Sequence, residues 1–130
     1  MGKRVLVVDD SAVNREIMKD YLEDLGCDAC TVDSGEKAYE IVKTICESGT
    51  SQDNASYDII LMDIRMPEMD GCETAKKIRE IGAEYSEKVS IVAMTASGDE
   101  ADILRAKENG MNNYLLKPVE LITLKELVSS

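Results

Sequence analysis

Four short apolar runs in this chain stop abruptly on a polar or charged side chain, and they constrain the fold more than any other feature. Val5-Leu6-Val7-Val8 stops on Asp9-Asp10, Ile59-Ile60-Leu61-Met62 on Asp63, Ile91-Val92-Ala93-Met94 on Thr95, and Tyr114-Leu115-Leu116 on Lys117. A run this short, bounded by turn residues, reads as a strand buried on both faces, the kind found in parallel sheets covered by helices. The carboxyl ends of such strands lie along one edge of the sheet. Asp9, Asp10, Asp63, Thr95 and Lys117 are therefore expected to converge although they are far apart in sequence.

Helical periods fill the intervals. Ser11 can cap a helix with Val13, Ile17, Tyr21, Leu25 and Met18, Leu22 at apolar positions, stopped by Gly26. Residues 27–32 read as a second, weaker strand, and Ser34 caps a helix that faces inward with Ala38, Ile41, Val42 and Ile45. Residues 48–56 are polar and aperiodic, a surface loop. A third helix carries Cys72, Ala75, Ile78 and Ile81, ended by Gly82. A fourth carries Ala101, Ile103 and Leu104, ended by Asn109-Gly110, and a last one carries Leu121, Leu124, Leu127 and Val128. Five β-α units with no repeat or linker predict one α/β domain over residues 1–130. The expected architecture is a flavodoxin-like, doubly wound parallel sheet in the order 2-1-3-4-5 with five helices.

The charge balance narrows the function. With 15 Lys+Arg against 26 Asp+Glu, the formal net charge is −11. Surfaces that bind a phosphate backbone need clustered positive charge, so nucleic acid is not an expected partner. No apolar stretch approaches the roughly 20 residues of a membrane-spanning helix, and Met1-Gly2-Lys3-Arg4 runs directly into the first strand without a leader. A cytoplasmic, reducing location fits Cys27, Cys30, Cys46 and Cys72, which read as small core or edge residues. Cys27 and Cys30 would face opposite sides of a strand, and no second pair completes a zinc set.

A pocket holding Asp9, Asp10 and Asp63 has one obvious electrostatic need. Carboxylates roughly 5 Å apart repel by about 3 kcal/mol per pair at an effective dielectric near 20. Such a cluster takes up protons or recruits a cation. The chain has no His, and oxygen ligands favour a hard ion, Mg²⁺ or Mn²⁺. Three carboxylates, one divalent ion and Lys117 sum to zero charge, which suits phosphoryl transfer. Asp63, the central carboxylate, is then the nucleophile that becomes an acyl phosphate. Asp9 and Asp10 hold the metal, Lys117 pairs with a phosphoryl oxygen, and Thr95 offers its hydroxyl.

Asp9-Asp10, Asp63 with Met66-Pro67-x-Met69-Asp70-Gly71, Thr95-Ala96 and Tyr114-x-x-Lys117-Pro118 together resemble the receiver domains of two-component response regulators, across almost the whole chain. The segments around Asn14-Arg15 and Ile64-Arg65 are most similar to receivers of hybrid sensor histidine kinases, and a free-standing regulator is the alternative. The resemblance implies Mg²⁺-dependent transfer from the phosphohistidine of a sensor histidine kinase or histidine phosphotransfer protein onto Asp63. The domain is then a phosphorylation-dependent switch that assists its own phosphotransfer and autodephosphorylation rather than an enzyme in its own right. Asp10, Asp63 and the backbone carbonyl of Arg65 would ligate the metal directly, with Asp9 acting through bound water. The Arg65 side chain and Ser97 would bear on hydrolysis of the acyl phosphate, and small Ala96 would leave room for the donor imidazole. Thr95 and Tyr114 would be the switch pair, the Lys117-Pro118 bond would be cis, and a weak homodimer through the fourth helix, last strand and last helix is compatible.

Three other classes compete. A haloacid-dehalogenase-type phosphatase needs Asp-x-Asp after the first strand, whereas here the acidic pair is adjacent. A flavin carrier of the same fold needs a phosphate loop where Asp9-Asp10 would repel phosphate. A receiver used only for docking would lack one of the five strand-end residues.

Overall fold

The computed structural model describes residues 3–48, 56–66, 69–96 and 98–129. Within them β1 (Arg4–Val8), β2 (Asp28–Val32), β3 (Ile59–Asp63), β4 (Ser90–Thr95) and β5 (Asn113–Leu116) pair in parallel in the order β2-β1-β3-β4-β5. This is the expected order. β1 and β3 are neighbours at the point where the winding reverses, the place where open α/β sheets bind ligands. All five residues of β3 are buried, as a strand covered on both faces requires.

Side chains alternate along each strand, so two cores form. Val5, Val7, Leu61 and Met94 pack with Met18 and Leu22 of α1 (Ala12–Asp24) and with Leu124 and Val128 of α6 (Leu121–Ser129). Leu6, Val8, Ile60 and Met62 pack on the opposite face. Their partners there include Ala38 and Val42 of α2 (Gly35–Ser48) and Cys72, Ala75 and Ile78 of α3 (Gly71–Glu80). Fully burying one Leu or Ile contributes about 1.5–3 kcal/mol, so these layers dominate stability.

The described residues hold six helices where five were expected. The addition is α4 (Glu84–Lys88), which precedes α5 (Glu100–Glu108). Five residues are too few to show an apolar period. Polar side chains hold this turn instead: the buried Ser86 hydroxyl donates to the Ala83 carbonyl at 2.9 Å and accepts from the Ala83 N–H at 3.0 Å. Tyr85 donates its hydroxyl to the Tyr57 carbonyl (2.8 Å) and accepts from the Tyr57 N–H (3.0 Å), and burial pushes its pKa up to about 12. Arg79 then joins α3 to its surroundings, donating to the carbonyls of Gly110, Ser86 and Val89 and to the Asn112 side-chain oxygen.

Several expected inward positions are corrected, and Ala101 of α5 and Leu121 of α6 are among those that are exposed. Val13 and Ile17 are 68% and 42% exposed. Ile17 and Met18 lie about 100° apart around the helix axis, and the sheet takes the Met18–Leu22 side. Leu104 is exposed, because α5 meets the core through Ala106. Tyr114 and Leu116 are exposed on β5, an edge strand with one neighbour. The four Cys are free thiols, with Cys27 and Cys72 buried. No helix among the described residues is long and apolar enough to cross a membrane. α2 continues to Ser48, and the rest of the expected 48–56 loop up to residue 55, together with Pro67 and Ser97, lies outside the described residues.

Candidate functional site

Strand alternation decides which side chains meet at the carboxyl edge. Asp9, Asp63 and Lys117 continue the parity of Val7, Leu61 and Leu115, the α1–α6 face of the sheet. Lys117 Nζ lies 3.2 Å from Asp9 Oδ2 and 3.1 Å from Asp63 Oδ2. Asp9 and Asp63 are buried, Asp10 is exposed, and each of the three carboxylates offers an oxygen within 4.8 Å of the others. Thr95 has the opposite parity and is buried, opposite Leu116, while Tyr114 stands opposite Ala93 on that same face. The sheet thus gathers all five strand-end residues at one rim, with Thr95 and Tyr114 on its α5 side.

Backbone donors orient the two buried carboxylates. The Ser11 N–H donates to Asp9 Oδ1 (2.9 Å) and the Arg65 N–H to Asp63 Oδ1 (3.1 Å). The rim itself is laced by the Lys117 N–H to the Thr95 carbonyl (2.7 Å) and the Ile64 N–H to the Met94 carbonyl (3.1 Å). The Lys117-Pro118 peptide is cis. At Gly71 a Cβ would run into the Asp63 carbonyl and Ile64 Cα, so only glycine lets α3 begin this close to the end of β3.

Three carboxylates facing one ammonium leave excess negative charge, and the titration of the group follows. Burial raises the Asp63 pKa above the ordinary aspartate value; Lys117 opposes this, and the Asp9 charge adds to it. Burial works against the Lys117 charge, but Asp63 and Asp9 outweigh it and hold its pKa above the ordinary value. Among the described residues Asp9 Oδ2 is buried without a hydrogen-bond donor, and the Lys117 ammonium lies 3.2 Å from it. A hard divalent ion fits this donor set: oxygen ligands, one orphaned buried oxygen, and negative charge left over.

Beside the acidic rim, two contacts escaped the sequence reading. Arg15 donates from Nη1 to the Asp9 carbonyl at 2.8 Å, bracing the acidic loop from the first turns of α1. Its one signal was a cation five residues after an acidic pair. The Arg65 guanidinium leans on Asp102 of α5 at 3.1 Å, a tertiary contact with no trace in local spacing. A groove of about 390 Å³ opens beside the rim, bordered by Asp9, Asn14, Ile17, Ala96, Lys117 and Pro118.

Comparison with known proteins agrees with this geometry. The chain matches the response regulator receiver domain over residues 5–129. It is 38% identical over 129 residues to hybrid signal transduction histidine kinase L of Dictyostelium discoideum, a match covering 98% of this chain and 7% of that protein. It is 34% identical over 124 residues to chemotaxis protein CheY1 of Helicobacter pylori, covering 95% of this chain and 91% of that one. The chain thus spans a small part of the kinase and most of the chemotaxis protein. A sensor histidine kinase receiver domain from Pseudomonas aeruginosa, crystallised with magnesium coordinated in its active-site cleft, is similar with a TM-score of 0.82. Identity is 30%, and the match covers 99% of this chain and 96% of that one. The chain belongs to the response regulator receiver domain family, the regulatory switches of two-component signalling.

Proposed function

We propose that residues 1–130 form a phosphoacceptor domain that takes a phosphoryl group from a phosphohistidine onto Asp63 and signals by a change of conformation. The observation that carries this reading is the Lys117 ammonium held between Asp9 and Asp63 with Asp10 alongside. Asp10, Asp63 and the Arg65 carbonyl would hold Mg²⁺ or Mn²⁺ directly, and Asp9 would hold it through water. The ion would supply positive charge to the phosphoryl oxygens. An Asp63 oxygen forms a bond to phosphorus as the phosphorus–nitrogen bond of the donor breaks, and the imidazole leaves with the electron pair and takes a proton. Lys117 neutralises one phosphoryl oxygen, and Thr95 donates its hydroxyl to another. As Thr95 moves, the half-exposed Tyr114 ring on the same face can follow it inward. Hydrolysis of the acyl phosphate resets the domain.

The donor is a sensor histidine kinase or histidine phosphotransfer protein of the cytoplasm. Exposed Val13 and Ile17 beside the groove give such a partner an apolar foothold next to Asp63. Exposed Leu104, Leu116 and Leu121 on α5, β5 and α6 suit a weak homodimer through these elements, and the acidic surface disfavours nucleic acid. Incubation with phosphoramidate and Mg²⁺ should add one phosphoryl group, about 80 Da by intact mass. The gain should vanish in Asp63→Asn and with a chelator. Turnover of small phosphate esters without an adduct would favour the phosphatase class instead.

A further inference from the structure

α5 is poorly anchored in the core. Only Ala106 of its residues is buried, and Leu104 faces solvent. Two ion pairs tie it to the connection between β3 and α3. Arg65 Nη2 meets Asp102 Oδ2 at 3.1 Å, and Arg105 Nη2 meets Asp70 Oδ2 at 2.9 Å. The two tethers hold opposite ends of that connection. Asp70 caps α3, with one carboxylate oxygen on the Glu73 N–H and the other on Arg105. Arg65 stands two residues after Asp63, and its own N–H is bonded to Asp63 Oδ1.

The Arg65–Asp102 pair is unequal in a way that matters. Asp102 is mostly covered, with 17% of its side chain exposed, whereas 78% of the Arg65 side chain is in water. The guanidinium therefore keeps hydrated donors free to move. A phosphoryl group on Asp63 would present about two negative charges and three acceptor oxygens at the root of this side chain. Guanidinium pairs with phosphate through two parallel bonds more strongly than it pairs through one nitrogen with a single carboxylate oxygen. Left behind, Asp102 lies in the first turn of α5, where negative charge suits the helix dipole, so the helix persists while its docking weakens.

We propose that Arg65 is a two-position arm: paired with Asp102 it latches α5 to the β3–α3 connection, and a phosphoryl group on Asp63 draws it away and loosens α5. The inference rests on the phosphoacceptor reading of Asp63 and names how that site is coupled to a distant surface. It is tested by hydrogen–deuterium exchange of the amides of residues 100–108, with and without Mg²⁺ and beryllofluoride as the phosphoryl stand-in. Fluorine NMR reports beryllofluoride occupancy in each protein. In the unloaded domain Arg65→Gln and Asp102→Asn should each speed exchange about threefold, the factor an exposed ion pair of ordinary strength yields. The double variant should be no faster than either single one. Loading should speed exchange in the wild type to the same level and change it little further in the two variants. Arg105→Gln, which cuts the other tether, should speed basal exchange yet keep the response to loading. Additive effects of Arg65→Gln and Asp102→Asn, or a loaded wild type whose α5 exchange is unchanged, would overturn the latch and leave the phosphoacceptor reading intact. Failure of the wild type to bind beryllofluoride or to gain a phosphoryl group from phosphoramidate would overturn that reading, and the arm's transfer with it.

Discussion

Lys117 is the internal counter-ion of the rim. Replacing it with Met leaves Asp9 and Asp63 buried without a cation, and breaking such a pair costs about 3 kcal/mol. Lys117→Met should therefore unfold at lower urea in chelator. Saturating Mg²⁺ should restore more stability to it than to the wild type, because the ion then neutralises charge that no side chain does. Equal Mg²⁺ stabilisation of both proteins would contradict this account. Gly71 is constrained by proximity rather than by an unusual backbone angle. Gly71→Ala forces a methyl group against the Asp63 carbonyl, and relief by backbone shift should cost roughly 2 kcal/mol. Since the shift moves the residue that carries the site, Mg²⁺ affinity measured by calorimetry should fall together with stability.

The start of α3 shows how one helix end serves both packing and control. Asp70 and Glu73 form a reciprocal capping box, and Asp70 also receives Arg105. Burial alone would raise the Asp70 pKa, but the Glu73 N–H and the Arg105 guanidinium outweigh it and hold it below the ordinary value of 3.8. A carboxyl held low in the fold adds stability above the unfolded-state pKa and loses it as pH falls through the depressed one. Asp70→Asn keeps a capping side chain but removes the pair with Arg105. Its urea midpoint at neutral pH should correspond to a loss of about 0.5–1 kcal/mol. That gap should hold down to about pH 4 and close at lower pH. A gap unchanged in acid would mean that the charge of Asp70 contributes nothing. α4 makes a related point about short elements, since a Ser hydroxyl and a Tyr hydroxyl replace the apolar stripe that a five-residue helix lacks.

Across the domain, the sheet acts as a rigid frame that brings carboxylates from β1 and β3 to one place before any ligand arrives. Because the site is assembled by folding, a ligand that binds it stabilises the fold. At a hundred times its dissociation constant Mg²⁺ should add about 2.7 kcal/mol, or roughly 10 °C in Tm for a domain of this size. Asp10→Asn should abolish most of the rise in a thermal scan with and without chelator. A full rise in that variant would place the ion elsewhere.

Apolar runs ending on Asp9, Asp63, Thr95 and Lys117, separated by helical periods, narrowed the strand order to a few and pointed to the rim where those residues meet. Burial on both faces and right-handed crossovers leave few other arrangements. Alternation within each strand even carried Asp9, Asp63 and Lys117 to one face. The tethers of Arg65 to Asp102, Arg105 to Asp70, and Arg79 to four acceptors were invisible, because long flexible side chains choose partners by proximity in space and leave no period behind. The exposure of Val13, Ile17 and Leu104 was equally hidden. A helix writes the width of its apolar stripe into sequence, but only the packed sheet decides which part of that stripe it covers.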